Sequence, residues 1–219
     1  MSVLAAFVMP HPPIIMPNIG KGEERKIAAT SNSCEECGRI IAEIKPEVII
    51  LCSPHAKAYS DEFYVSEPYE PLDHGVYVPL YFINNHYEDY SLVRISVSGL
   101  SLQEHYDFGK KVAASVSDKR VVFIASGDLS HKLKHDGPYG FAEEGVIFDK
   151  TVTEILSSGD FDKLLNIDEE LVEAAAECGL RPLVMMAGVL DGVEVTSELL
   201  SYENTFGVGY AVAKYIVKE

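Results

Sequence analysis

Three stretches decide the fold: Leu4-Ala-Ala-Phe-Val-Met-Pro-His11, Val48-Ile-Ile-Leu-Cys-Ser-Pro-His55 and Val121-Val-Phe-Ile-Ala-Ser-Gly-Asp-Leu-Ser-His131. Each is an apolar, β-rich run that passes into a short polar turn ending in histidine. Continuous apolar runs are what strands covered on both faces require, because side chains on either face meet a packed layer. Beyond these, 76–83 and 92–97 read as further strands, and helical patterns alternate with the strands. The stretch 23–44 carries Ile27, Cys34 and Ile41 on one helical row and Ser31, Gly38 and Ile44 on the next, and Pro46 stops it. Ser101-Leu-Gln-Glu104 forms a capping box that opens a helix running to about Val116, a crossover to the strand at Val121. Helices are expected at 144–156, 160–165, 169–176 and 182–190, followed by an antiparallel pair, 198–202 and 207–217, joined across Asn204. The expected architecture is α/β: a three-layer α/β/α sandwich on a mixed, largely parallel sheet, with residues 1–219 as a single domain.

The chain has 219 residues, with 18 basic against 34 acidic side chains and a formal net charge of -16. A domain of this length buries roughly 70% of its unfolded surface, so it needs no disulfide or metal staple. The acidic excess repels polyanions at long range, which argues against nucleic acid and anionic membranes as partners. The N-terminus has no basic flank and no apolar run of signal-peptide length, and no segment reaches the length of a membrane span; a cytoplasmic location is expected. Cys34, Cys37, Cys52 and Cys178 are too few and too scattered for a disulfide framework and are expected to be reduced. Cys34-Glu-Glu-Cys37 lacks the second close pair a zinc site needs, and both cysteines fall on the apolar rows of a helix, where they act as small hydrophobes.

The chemistry concentrates at the strand ends. Ligands of open α/β sheets bind in the crevice beyond the carboxyl ends of the strands, so His11, His55 and His131 can converge there. The prolines before His11 and His55 restrict the backbone and aim the imidazoles. Two histidines and a carboxylate would leave coordination positions open for substrate and dioxygen; Glu177, closing an alanine-rich helical stretch before a glycine, reads either as that carboxylate or as a solvated acid at a helix end. Asp128 either orients His131 or caps the following turn. The aromatics crowded between Tyr59 and Tyr90 would suit a wall for a flat phenolic ligand.

These residues carry a resemblance. His11 in Met-Pro-His-Pro-Pro, Ser-Pro-His55, Asp73-His74-Gly75, Gly127-Asp-Leu-Ser-His131 and Glu177-Cys-Gly-Leu-Arg-Pro occur in an order that resembles the class III extradiol dioxygenases. The similarity is to the LigB-like catalytic chains of ring-opening dioxygenases, in the branch found beside AMMECR-type domains and related to Memo proteins. The resemblance implies Fe(II) held by His11, His55 and Glu177, His131 as acid/base residue with Asp128 beside it, His74 near the substrate, and a catechol opened with O2. Memo-type relatives carry a cysteine ligand in the same region, so Cys178 is the alternative to Glu177, and a thiolate would favour copper or zinc over iron. A Memo-like binding or regulatory protein without turnover and a zinc hydrolase are the competing functions. Arg181 and His135 are the candidate contacts to substrate, Arg181 to a carboxylate unless it forms a structural ion pair, and His135 from a loop over the pocket. An AMMECR-type domain or partner and a homo-oligomer complete the expectations.

Overall fold

A computed structural model describes residues 3–116 and 118–218. Its centre is a seven-stranded mixed sheet of order β3-β4-β2-β5-β1-β7-β6, in which β1 is Val3–Met9, β2 Val48–Ser53, β3 Tyr64–Val65, β4 Ser91–Ser96, β5 Val121–Ser126, β6 Val195–Glu203 and β7 Tyr210–Val217. The four central strands run parallel, β4-β2-β5-β1. The flanking pairs β1-β7, β6-β7 and β3-β4 are antiparallel. Among the described residues, seven α-helices accompany them: α1 (Pro17–Gly20), α2 (Ala28–Ile44), α3 (His74–Asn84), α4 (Leu102–Ser115), α5 (Glu143–Ser158), α6 (Glu169–Ala175) and α7 (Leu180–Val189).

The apolar strand runs are two-sided, as their composition predicts. Alternate residues of β5, Val121, Phe123 and Ala125, pack into a core with Val112 of α4, Phe148 of α5 and Leu183 of α7. The intervening Val122 and Ile124 join Cys34, Cys37 and Ile41 of α2 and Val76, Val78 and Ile83 of α3 on the opposite face. Helices therefore cover both faces, giving a three-layer α/β/α sandwich. Cys34 and Cys37 are buried, free, helix-borne core residues, as their spacing suggests. The capping box at Ser101 and Glu104 is formed in both directions.

Three local expectations need correction. The stretch 76–83, expected as a strand, lies in helix α3. An apolar run of that length does not distinguish strand from buried helix. The deciding residue is Asp73, whose carboxylate accepts the Val76 N–H at 3.2 Å and caps the helix. The helix expected over 23–44 is split: a 3-10 turn, Glu23–Ile27, precedes α2, with Ile27 out of helical geometry at φ -128°, ψ 46°. The segment expected to be helical at 160–165 is also a 3-10 turn, Phe161–Asn166. Among the described residues, no helix is long and apolar enough to cross a membrane.

Candidate metal centre

Parallel register brings the strand ends level: Met9 pairs with Ser126, and Cys52 with Ala125. His11, His55 and the Gly127–His131 turn therefore leave the sheet at one edge. His11, His55 and His74 each offer a ring nitrogen, and these atoms all lie within 4.8 Å of one another. His11 is buried at 2% exposure, whereas His55 and His74 face the solvent side. One hydroxyl places the outer pair: Ser53 Oγ accepts the His55 N–H at 3.2 Å and donates to Asp73 Oδ1 at 2.7 Å, tying the His55 turn to the cap of α3, whose first residue is His74.

The tautomer of His11 follows from a proline. Within α3, Pro79 has no N–H to give to the carbonyl of Gly75, four residues earlier. That carbonyl instead accepts Ser126 Oγ–H at 2.5 Å. Ser126 has one hydroxyl proton, so towards His11 Nδ1, 2.9 Å away, its oxygen can only accept. Nδ1 of His11 thus carries the proton and Nε2 presents a bare lone pair. Nε2 faces His55 Nε2 at 3.0 Å, and such a pair holds either a proton or a cation between its nitrogens. Burial first, then the neighbouring His74, lowers the His11 pKa to about 3, and burial and His11 lower that of His55 to about 4. Both are neutral near pH 7, the state a metal requires.

A second pair of loops closes on the same point. Gly127 and Gly179 touch backbone to backbone, so closely that a Cβ on Gly127 would collide with the Gly179 Cα. The contact brings Cys178 against Asp128, whose backbone N–H meets Cys178 Sγ at 3.4 Å. Cys178 Sγ lies 3.5 Å from His11 Nε2, with its thiol pKa pushed up by burial. Asp128 accepts the His11 backbone N–H at 2.9 Å through Oδ1. Its Oδ2 lies 4.0 Å from His11 Nε2, and burial raises its pKa above the usual carboxylate range. His131 Nδ1 donates to the carbonyl of Ala176 at 2.5 Å, which leaves its Nε2 as acceptor. Ala176 offers that carbonyl from a left-handed conformation, φ 52°.

Of the residues expected at the site, His11, His55, His74, Asp128 and His131 line one cleft of about 280 Å3. His74, expected beside the substrate, joins the two expected ligands. Three placements differ. Glu177 does not face the cleft: its Oε2 accepts the Leu180 N–H at 2.5 Å at the start of α7, and the side chain borders a different cavity. Its neighbour Cys178 takes the inward place, because consecutive residues of a tight loop point apart. Arg181 borders that second cavity too. His135 is exposed and packs on Phe141, ring centroids 4.4 Å apart. The aromatic lining comes from Tyr139, Phe206 and Tyr210 rather than from 59–90. Residues that sequence reasoning missed are Ser126 and Pro79. The spacing of Pro79 four residues after Gly75 is the signal that points to a freed carbonyl.

The donor set fits a transition metal: three imidazoles, one with its tautomer fixed by an outer partner, beside a thiol and a carboxylate. Residues 56–213 match the family model of the catalytic LigB subunit of aromatic ring-opening dioxygenase. Aligned over 269 positions, the chain is 38% identical to Protein CA_C1420 of Clostridium acetobutylicum, covering 98% of this chain and 58% of that protein. It is 26% identical over 190 positions to a MEMO1 family protein of Pyrobaculum arsenaticum, covering 83% and 61% respectively. The chain thus spans about three fifths of the length of these curated relatives. Its fold is similar to that of the uncharacterized protein JW3007 from Escherichia coli K12, with a TM-score of 0.68 at 15% identity over 96% of this chain and 99% of that one. Fold, ordered motifs and family match agree, and the chain belongs to the LigB family of aromatic ring-opening dioxygenase catalytic subunits.

Proposed function

We propose that the chain is a metal-dependent oxidoreductase of the extradiol type, acting on a small catecholic compound with O2. The observation that carries the reading is the bare Nε2 of His11, grouped with His55 and His74 in the cleft that also receives His131. His11, His55 and His74 would hold the ion, with Cys178 and Asp128 adjacent. Bound Fe(II) would supply oxygen activation and make a phenolic hydroxyl more acidic. The protein's own part is positional and protonic. With Nδ1–H committed to Ala176, His131 can take a phenolic proton only at Nε2. Tyr139, Phe206, Val208 and Tyr210 give the cleft apolar walls that admit a flat ring and displace water. Asp128 holds the backbone of His11 and so fixes the innermost donor. Anaerobic loading with Fe(II), followed by an oxygen-electrode assay on a panel of catechols, tests the reading. Oxygen uptake above a His55→Ala control is expected, and none above that control contradicts it.

One observation favours a second reading, a Memo-like metal-binding protein without turnover: the thiol of Cys178, not the carboxylate of Glu177, approaches His11. A thiolate ligand favours copper or zinc. Metal analysis of the purified protein separates the two, stable copper or zinc that is lost in Cys178→Ser supporting the second.

A further inference from the structure

A cavity of about 810 Å3 lies across the 176–178 segment from the histidines, between the start of α4, the 3-10 turn 161–166, α6 and the first turn of α7. Its floor is apolar: Leu100, Leu102, Leu165, Ile167, Val172 and Leu180. Its charged groups are Arg181 and the carboxylates Glu169, Glu173 and Glu177. His105, nearby, contributes no free group, since Nε2 accepts the Ser98 N–H and Nδ1 donates to the Ser101 carbonyl.

Arg181 is the unusual member. Glu177 precedes it by four residues, the spacing at which helical charges pair. Glu177 caps α7 instead, accepting the Leu180 N–H. Among the described residues, no carboxylate oxygen lies within 4.0 Å of the guanidinium, and Arg181 Nε is buried with no hydrogen-bond partner. Arg181 is half-buried, and its Nε has lost hydration without gaining an acceptor. With three carboxylates around it, a simple anion entering the groove meets net repulsion, and a simple cation leaves Arg181 unpaired. A ligand carrying both charges and an apolar arm matches the arginine, the carboxylates and the apolar floor together.

We propose that this groove binds an apolar α-amino acid, with its carboxylate on Arg181, its ammonium toward Glu173 and Glu177, and its aliphatic side chain on the leucine floor. The site is separate from the histidine cleft and does not depend on the metal. A guanidinium can pair with a carboxylate through two parallel N–H···O bonds, and the ligand's side chain adds buried apolar area.

The test uses the full chain without added metal and three probes of one shape: L-leucine, 4-methylpentanoate, which lacks the ammonium, and isopentylamine, which lacks the carboxylate. Methyl NMR and calorimetry are expected to show saturable binding of L-leucine that shifts Leu102, Leu165 and Leu180, with both analogues at least about tenfold weaker. Arg181→Gln is expected to weaken L-leucine at least about tenfold, Arg181→Lys to recover part of the loss, and Val172→Trp to block the groove, while His55→Ala binds as the wild type does. Thermal melts of each variant establish folding. Absence of saturable shifts at these leucines with millimolar L-leucine, an analogue binding as tightly as L-leucine, or unchanged binding in folded Arg181→Gln and Val172→Trp would each overturn the proposal.

Discussion

Ser126→Ala removes the hydroxyl that stands between Gly75 and His11. In the wild type it donates to the Gly75 carbonyl at 2.5 Å and accepts from His11 Nδ1 at 2.9 Å. Both partners are buried, and Pro79 lacks the N–H that would otherwise reach the Gly75 carbonyl. Leaving a buried polar group unpaired costs about 1–3 kcal/mol, so the variant is expected to lose about 2–4 kcal/mol of stability. The second effect concerns the metal. Without the hydroxyl, nothing holds the proton on Nδ1, and the tautomer with Nε2 protonated competes with metal binding. Loss of such an outer partner typically costs about 10–100-fold in affinity. Chelator competition with Zn(II) and urea unfolding on the same preparations measure the two effects separately. Pro79→Ala makes the complementary change, offering Gly75 an N–H and freeing the Ser126 hydroxyl to donate to His11, so it is expected to weaken metal binding without loss of stability. If Ser126→Ala lost stability yet kept its zinc affinity within about twofold, the derivation of the His11 tautomer would be wrong.

Three other outcomes are expected. Burial raises the pKa of Asp149 to about 7 although Ser130 N–H and Tyr202 OH both donate to it. The folded value lies above the unfolded one, near 3.9, so its contribution to stability is present at low pH and lost as pH rises through about 7, by as much as about 4 kcal/mol. Urea unfolding of wild type and Asp149→Asn at pH 5 and pH 8 should show the difference between them shifting against the wild type at the higher pH; a constant difference refutes it. Gly75→Ala would drive a Cβ into Ser53 Oγ, the hydroxyl that ties His55 to the cap of α3. Reduced thermal stability together with weakened metal binding is expected, and normal metal affinity would count against the tie. Ala176→Gly relieves a left-handed non-glycine residue at φ 52° and should raise stability by about 0.5–1 kcal/mol in denaturant unfolding, with a decrease refuting the assignment of strain.

Much of this was legible in the sequence because the signals were local or repeated. The apolar runs ending in His11, His55 and His131 share one pattern, and parallel register converts that pattern into a common edge. The capping box at Ser101 is a four-residue signal and is formed as read. Segment 76–83 failed because eight apolar residues suit either element, and the choice rests on Asp73 and on a hydrogen bond from Ser53, twenty residues away in sequence. Glu177 and Cys178 could not be separated by pattern either. Which one faces His11 is set by the contact of Gly127 with Gly179, a tertiary approach between segments fifty residues apart. The charge of Arg181 reads in sequence as available for a ligand at the metal, but its helix turns it into the neighbouring groove. Pairwise geometry across the sheet edge, rather than composition, settles all three.

The proposed metal ligands are His11, His55 and His74, with Glu177 outside the set. Chelator-competition affinity for Zn(II) in Glu177→Gln against His55→Ala tests this most directly, because glutamine keeps an oxygen for the Leu180 N–H and so preserves the start of α7. Glu177→Gln is expected to stay within about threefold of the wild type while His55→Ala loses more than about 100-fold, beyond the loss expected of an outer partner. A loss in Glu177→Gln as large as that in His55→Ala would contradict that ligand set.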